Sequence, residues 1–174
     1  GIAMRYQKIE VKIWNDDKFL SLEHEERYIF LHLLSTPFSN SIGIFKITPE
    51  ALAAEMRLPF KKYSKSFKKI QEIGLIEYDI VSQVLYLPNF LKHNPPANAN
   101  VLTAYIKAYE SLPDGYLKEQ YHERLEIFVQ SLGATFVKRF AELFNKPLPK
   151  PLDEPFGKSV SSKQEAVNSK QKTL

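Results

Sequence analysis

The sequence contains no cysteine, which excludes disulfide bonds and thiolate metal sites and favours a reducing compartment. No apolar run approaches the roughly 20 residues that cross a bilayer as a helix. The first ten residues, GIAMRYQKIE, lack the apolar stretch of a secretory signal. We therefore expect a cytoplasmic protein with no membrane partner.

Residue patterns of catalytic sites are also missing. The six glycines are scattered, so no glycine-rich loop can hold a phosphate, and the four histidines do not have the spacing of metal ligands. Asp16, Asp17 and Glu23 resemble a nuclease metal cluster only by proximity, and capping of a turn and a helix explains them better. We predict no catalytic residue, metal or cofactor, and hence no enzyme.

What the chain does have is enough apolar sequence for one core and an uneven charge. It has 174 residues, 13% of them aromatic, and a net charge of +4. Residues 57 to 100 carry +4 and residues 146 to 174 carry +3, whereas residues 21 to 56 carry −3. This distribution permits a nucleic-acid partner without requiring one.

The first third of the chain predicts a strand followed by a helix. RYQKIEVKIW alternates apolar Ile9, Val11 and Ile13 with polar residues, which is the period of a half-buried strand. Ser21 is then the predicted N-cap of a helix that should end at Thr36, before Pro37.

The middle of the chain predicts a strand, two helices and a hairpin. SNSIGIFKI is typical of a loop and a short strand, and Thr48 followed by Pro49 begins a short helix. Pro59 opens the next helix, and Gly74 fits its left-handed C-cap. LIEYDIVSQVLYLPNF then predicts a β-hairpin. This order is that of a winged helix, in which the third helix is the recognition helix.

The predicted recognition helix carries a concentration of positive charge. In RLPFKKYSKSFKKIQEIGL, six cationic side chains occur within thirteen positions, with no acid between Glu55 and Glu72. At about 100° per residue, one face holds Phe60, Tyr63, Phe67 and Ile70. The opposite face and the preceding turn give the candidate nucleic-acid-binding residues Arg57, Lys61, Lys62, Lys65, Lys68 and Lys69.

We predict a mainly α fold with a small β-hairpin (α+β), divided into three regions. Residues 1–94 form a winged-helix domain, residues 95–145 a helical extension, and residues 146–174 a disordered tail rich in Pro, Lys and Ser. The aromatic residues of the extension have the helical spacing of a core or an oligomer contact, although stacking on single-stranded bases stays open.

The runs KIWNDDKFLSLEHEERYIFLHLLSTPFSNSIGIFKIT, IGLIEYD, LYLPNFLKHNPP and NPPANANVLTAYIKAYESLPD resemble phage replisome organisers and the N-terminal winged-helix region of DnaD-type replication proteins. The resemblance covers roughly residues 5 to 145. It implies a primosome-type protein that binds DNA at replication initiation and recruits a replicative helicase or its loader. The chain differs from that family at the hairpin tip, residues 80 to 83, which has neither glycine nor charge.

Three functions stay open on the sequence alone. The first is DNA binding through lysine-to-phosphate contacts, with weak sequence preference because base reading favours Arg, Asn and Gln. The second is an oligomerising scaffold of the replisome, and the third is a winged-helix transcriptional regulator. For the first, about four neutralised phosphates predict a log–log salt slope near −3.6 on duplex DNA.

Overall fold

The protein was analysed as a computed structural model that describes residues 5–144. The predicted disordered tail, residues 146–174, lies outside the described residues. The helices are α1 (Asp17–Leu20), α2 (His24–Ser35), α3 (Pro49–Glu55), α4 (Phe60–Glu72), α5 (Phe90–His93), α6 (Leu102–Glu110), α7 (Tyr116–Ser131) and α8 (Ala134–Phe144). The strands are β1 (Ile44–Lys46), β2 (Glu77–Asp79) and β3 (Val84–Tyr86). The predicted α+β class, mainly helical with a small hairpin, is confirmed.

The predicted strand around Ile9 to Ile13 is wrong. Val11–Asn15 is a short 3₁₀ helix, and Val11 is 82% exposed. The backbone bonds locally, since the Ile13 N–H donates to the Glu10 carbonyl at 3.1 Å and the Asp16 N–H to the Ile13 carbonyl at 3.1 Å. A strand would pair these groups with a neighbouring strand, but this segment joins neither edge of the sheet.

The start of α2 lies two residues beyond the predicted cap. Glu23 is the N-cap, and its backbone N–H donates to the Glu26 carboxylate at 2.9 Å in a reciprocal capping box. Ser21 instead ends α1, where its hydroxyl donates to the Lys18 carbonyl at 2.7 Å. The predicted end at Thr36 is confirmed.

The boundaries of α3 and α4 follow their predicted signals. The Thr48 hydroxyl accepts from the Ala51 N–H at 3.2 Å, with Pro49 as the first helical residue. At the end of α4, Gly74 has a φ of +82°, and the Leu75 N–H donates to the Ile70 carbonyl at 3.3 Å. This is a Schellman C-cap, and Leu75 is buried beneath it.

The three strands form one antiparallel sheet in the order β1-β3-β2. β2 and β3 are the predicted hairpin, with Tyr78 opposite Leu85, and β1 pairs with the other edge of β3. The succession α2, β1, α3, α4, β2, β3 with this strand order is the winged-helix arrangement. The Phe67 ring on α4 meets the Tyr78 ring on β2 edge to face at 5.5 Å, which fixes α4 against the sheet.

The helices of the extension pack directly on the winged helix. The buried Tyr121 hydroxyl on α7 donates to the Ile42 carbonyl at 2.9 Å, and its ring meets that of Tyr86 on β3 edge to face at 5.5 Å. Gly115 is the N-cap of α7. A Cβ at Gly115 would lie 2.8 Å from the Asp79 carboxylate, so a larger residue there would force that side chain to move. Residues 5–144 therefore pack around one continuous core.

Candidate nucleic-acid interface

One face of α4 is buried in the core. Tyr63, Phe67 and Ile70 are buried as predicted, and Ser66 is buried beside them. The Tyr63 hydroxyl has no hydrogen-bond partner in the described part of the chain, and burial raises the pKa of Tyr63 far above its ordinary value. This buried face fixes the rotation of α4, and with it the direction of every other side chain on the helix.

Phe60 is the exception to the predicted inward face, because it is 43% exposed. Its angular position is close to that of Phe67, but Phe60 is the first residue of α4, two turns earlier. The Tyr78 ring covers Phe67, whereas no aromatic ring of the described residues stacks on Phe60. Sequence periodicity gives the angle around a helix and not how far the neighbouring sheet reaches along it.

All six predicted DNA contacts, Arg57, Lys61, Lys62, Lys65, Lys68 and Lys69, are exposed. The helices of the extension cover none of them. At about 100° per residue, Lys61, Lys65 and Lys68 lie opposite the buried face, and Lys62 and Lys69 lie on the shoulder that adjoins α2. We call the five lysines of α4 the lysine face.

Arg57 precedes the lysine face in the turn between α3 and α4. Its φ is +56°, a left-handed conformation that costs a residue with a Cβ roughly 1 to 2 kcal/mol. The turn is held by the Leu58 N–H, which donates to the Ala53 carbonyl at 3.0 Å. The arginine is therefore held at the entrance to α4 by backbone hydrogen bonds and stays exposed to solvent.

Acidic residues of α2 flank one side of the lysine face, and sequence reasoning missed this. The Lys62 ammonium lies 3.1 Å from the Glu25 carboxylate. A surface groove of about 390 Å³ is lined by lysines of α4 and by acids from the start of α2 and the end of α4. These residues are Lys65, Lys68, Lys69, Glu23, Glu25, Glu26 and Glu72. We call Glu23, Glu25 and Glu26 the acidic flank.

The acidic flank limits the directions from which a phosphate can approach the lysine face. A phosphate that approaches from the α2 side meets carboxylates, whereas one that approaches Lys61 from outside does not. The acids were visible in the sequence as the first turn of α2, where they favour the helix dipole. Only the packing of α2 against α4 shows that they also face the lysines.

The wing, residues 80 to 83 between β2 and β3, presents apolar side chains. Ile80 is 80% exposed and Val81 is 90% exposed. Asp79 orders the turn by accepting from the Val81 N–H at 3.0 Å and from the Ser82 hydroxyl at 2.5 Å. The Ser82 hydrogen bond is the main cause that holds the pKa of Asp79 below its ordinary value. With no cation at the tip, the wing offers phosphate no electrostatic contact.

The aromatic residues of the extension are mainly used for packing. Tyr105, Tyr121 and Phe140 are buried, and the Tyr109 ring stacks on Tyr121 at 6.2 Å between ring centroids. Four further rings are half-buried, so one copy of residues 5–144 exposes only parts of them: Tyr109, Phe128, Phe136 and Phe144. Tyr116, at the start of α7, is the most exposed of these aromatic residues, with 49% of its surface in solvent.

The acids considered as a nuclease cluster act as caps. The Asp16 carboxylate accepts from the Phe19 N–H at 2.9 Å at the start of α1, and Glu23 caps α2. In residues 5–144, no three His, Asp or Glu side chains converge on a point where they could hold a metal ion.

None of the helices in residues 5–144 is both long and apolar enough to cross a membrane.

Comparisons with known proteins add no relative: no family model, no curated protein and no solved structure matches the chain.

Proposed function

We propose that this chain is a cytoplasmic DNA-binding protein of replication initiation, which contacts phosphates through the lysine face and Arg57. The observation that carries the proposal is the rotation of α4. Tyr63, Phe67 and Ile70 are buried, so its lysines form one exposed cationic surface on the recognition helix of a winged-helix fold. The resemblance to phage replisome organisers and DnaD-type proteins supplies the replication context.

The composition of the surface supports binding with weak sequence preference. Lysine ammonium groups match phosphates as point charges, and they read base edges less well than the planar groups of Arg, Asn or Gln. Gln71 is the only amide on α4, and it lies at the helix end. The apolar wing adds no phosphate contact, so affinity depends on α4 and is expected to fall steeply with salt.

Recruitment of a helicase or its loader belongs to the same proposal. The resemblance implies that partner, and the chain offers no glycine-rich phosphate loop with which to hydrolyse nucleotides. We propose that the partner supplies the ATP chemistry and that this chain brings it to DNA.

The decisive experiment replaces the three lysines that lie opposite the core. K61A/K65A/K68A removes three of about four phosphate contacts, which should weaken binding to a duplex by at least about 30-fold at 0.1 M salt. Fluorescence anisotropy with labelled duplex, single-stranded and forked DNA measures this loss and gives the strand preference.

The matched control is K46A/K107A/K138A, which removes three exposed lysines from β1, α6 and α8. It has the same charge change and should keep most of the affinity. Equal losses in the two variants would mean that net charge, and not the lysine face, determines binding. Unfolding curves by circular dichroism should be similar for both variants, because none of these lysines is buried.

The scaffold is the second candidate function, and the exposed wing favours it. Ile80 and Val81 are two adjacent apolar side chains in solvent, as expected of a protein contact. Light scattering over a range of concentrations should show an oligomer that I80S/V81S dissociates. Tyr105 and Phe140 are unsuitable for this test, because both are buried within one copy and their replacement would disturb folding.

A further inference from the structure

A cavity of about 450 Å³ lies between the N-terminal segment, α2 and α5, away from the lysine face. Its floor is apolar and comes from five separate parts of the chain: it is formed by Phe19, Phe30, Leu34, Leu75, Leu87 and Phe90. None of the six candidate DNA contacts lines it. Its volume is within the range of small-molecule sites.

The mouth of the cavity is positively charged. Three lysines, Lys8, Lys12 and Lys92, line it together with two acids, Glu10 and Asp16. Both acids are already engaged within the protein. Glu10 contacts the His93 imidazole and lies 3.7 Å from the Lys12 ammonium, and Asp16 caps α1.

Two of the amines have no partner of their own. Lys8 and Lys92 are exposed and form no ion pair or hydrogen bond with any residue in the range 5–144. The cavity therefore joins an apolar surface to two ammonium groups that the described residues leave unpaired. A ligand that matches both features has an apolar body and one anionic end.

We propose that this cavity binds a small amphipathic anion, with its acyl or aryl body on the floor and its carboxylate at Lys8 and Lys92. At about 450 Å³ the cavity can take a drug-sized ligand, which includes a medium-length acyl chain or a fused aromatic ring system. Unbranched acids of medium length and aromatic acids share this chemistry. The site is independent of DNA binding, since it uses different residues.

The only tryptophan of the chain reports on this site. The Trp14 ring meets that of Phe19 edge to face at 5.3 Å, and Phe19 forms part of the cavity floor. The naphthalene sulfonate dye ANS has the proposed shape and charge. Bound in the cavity, it would accept excitation energy from Trp14, and decanoate, with about 12 non-hydrogen atoms, should displace it.

The test is titration of the folded protein with ANS, followed by displacement with decanoate or with neutral decanol. We expect energy transfer from Trp14, and displacement by decanoate at concentrations about tenfold lower than by decanol, because only decanoate pairs with the amines. K8E/K92E should weaken decanoate binding by at least about tenfold and leave decanol binding nearly unchanged. The control K46E/K107E reverses two exposed lysines elsewhere and should change neither.

Three results would overturn the proposal. The first is the absence of energy transfer to ANS in protein whose near-ultraviolet circular dichroism shows a folded core. The second is equal displacement by decanol and decanoate, and the third is unchanged decanoate affinity in K8E/K92E. Binding of decanoate does not involve the lysine face. If decanoate fails to bind, the DNA-binding proposal is unaffected, and if DNA fails to bind, the cavity proposal is unaffected.

Discussion

Replacement of Glu25 by glutamine should strengthen DNA binding, which is the opposite of what most interface mutations do. Glu25 on α2 lies 3.1 Å from the Lys62 ammonium. The ion pair occupies one lysine of the lysine face and places a negative charge next to any phosphate that this lysine binds. E25Q keeps the size of the side chain and removes the charge.

The magnitude follows from the geometry. A phosphate oxygen bound to Lys62 would lie about 3 Å from the ammonium, and hence about 6 Å from the carboxylate. At that distance two like charges repel by about 0.7 kcal/mol in water, which corresponds to about threefold in affinity. If Lys62 then makes its own phosphate contact, the log–log salt slope steepens by about 0.9.

The assay is a salt titration of duplex binding, with E119Q as the control. Glu119 is an exposed carboxylate on α7, outside the acidic flank. E119Q therefore changes the net charge as much as E25Q does, but it leaves the ion pair with Lys62 in place. E25Q should also lose the ion pair, worth up to about 1 kcal/mol of stability, and melt at a slightly lower temperature. Unchanged or weaker DNA binding by E25Q, or an equal gain in E119Q, would refute the reasoning.

Three further predictions concern the turn, the extension and the wing. R57G should raise the melting temperature, since glycine adopts the φ of +56° without strain, and should flatten the salt slope by about 0.9 in a binding titration. R124M breaks the paired hydrogen bonds from Arg124 on α7 to Glu77 on β2, so thermal unfolding should show a loss of roughly 1 to 2 kcal/mol. Asp79 has a lowered pKa in the folded state, so its stabilising contribution is present above the ordinary Asp pKa and is lost as the pH falls through the lower value. D79N should therefore reduce the fall in melting temperature between pH 5 and pH 3, and an unchanged fall would contradict this assignment.

The parts of the fold that the sequence predicts correctly depend on local chemistry. Thr48 starts α3 with a side-chain cap, and Pro49 has the fixed φ of a first helical residue. Gly74 ends α4 because glycine readily adopts a positive φ. Each effect acts on the backbone next to the residue that causes it. The buried positions Tyr63 and Ile70 follow from helical periodicity alone. The candidate lysines are exposed for the same reason.

The errors depend on which elements become neighbours. The apolar alternation at Ile9 to Ile13 has the period of a strand, but the segment closes its own backbone hydrogen bonds as a 3₁₀ helix and joins neither edge of the sheet. Phe60 has the right angle but lies beyond the ring that covers Phe67. The acidic flank is the costliest omission, since the ion pair of Glu25 with Lys62 joins residues from two helices separated by β1 and α3. No local pattern contains that contact.

The central claim is that the outward lysines of α4 neutralise DNA phosphates, and the salt dependence of duplex binding tests it most directly. Equilibrium anisotropy from 50 to 300 mM salt should give a log–log slope of about −3.6 for the unmodified protein, reduced to about −0.9 in K61A/K65A/K68A. A slope near zero for the unmodified protein, or the same slope in both proteins, would contradict the account.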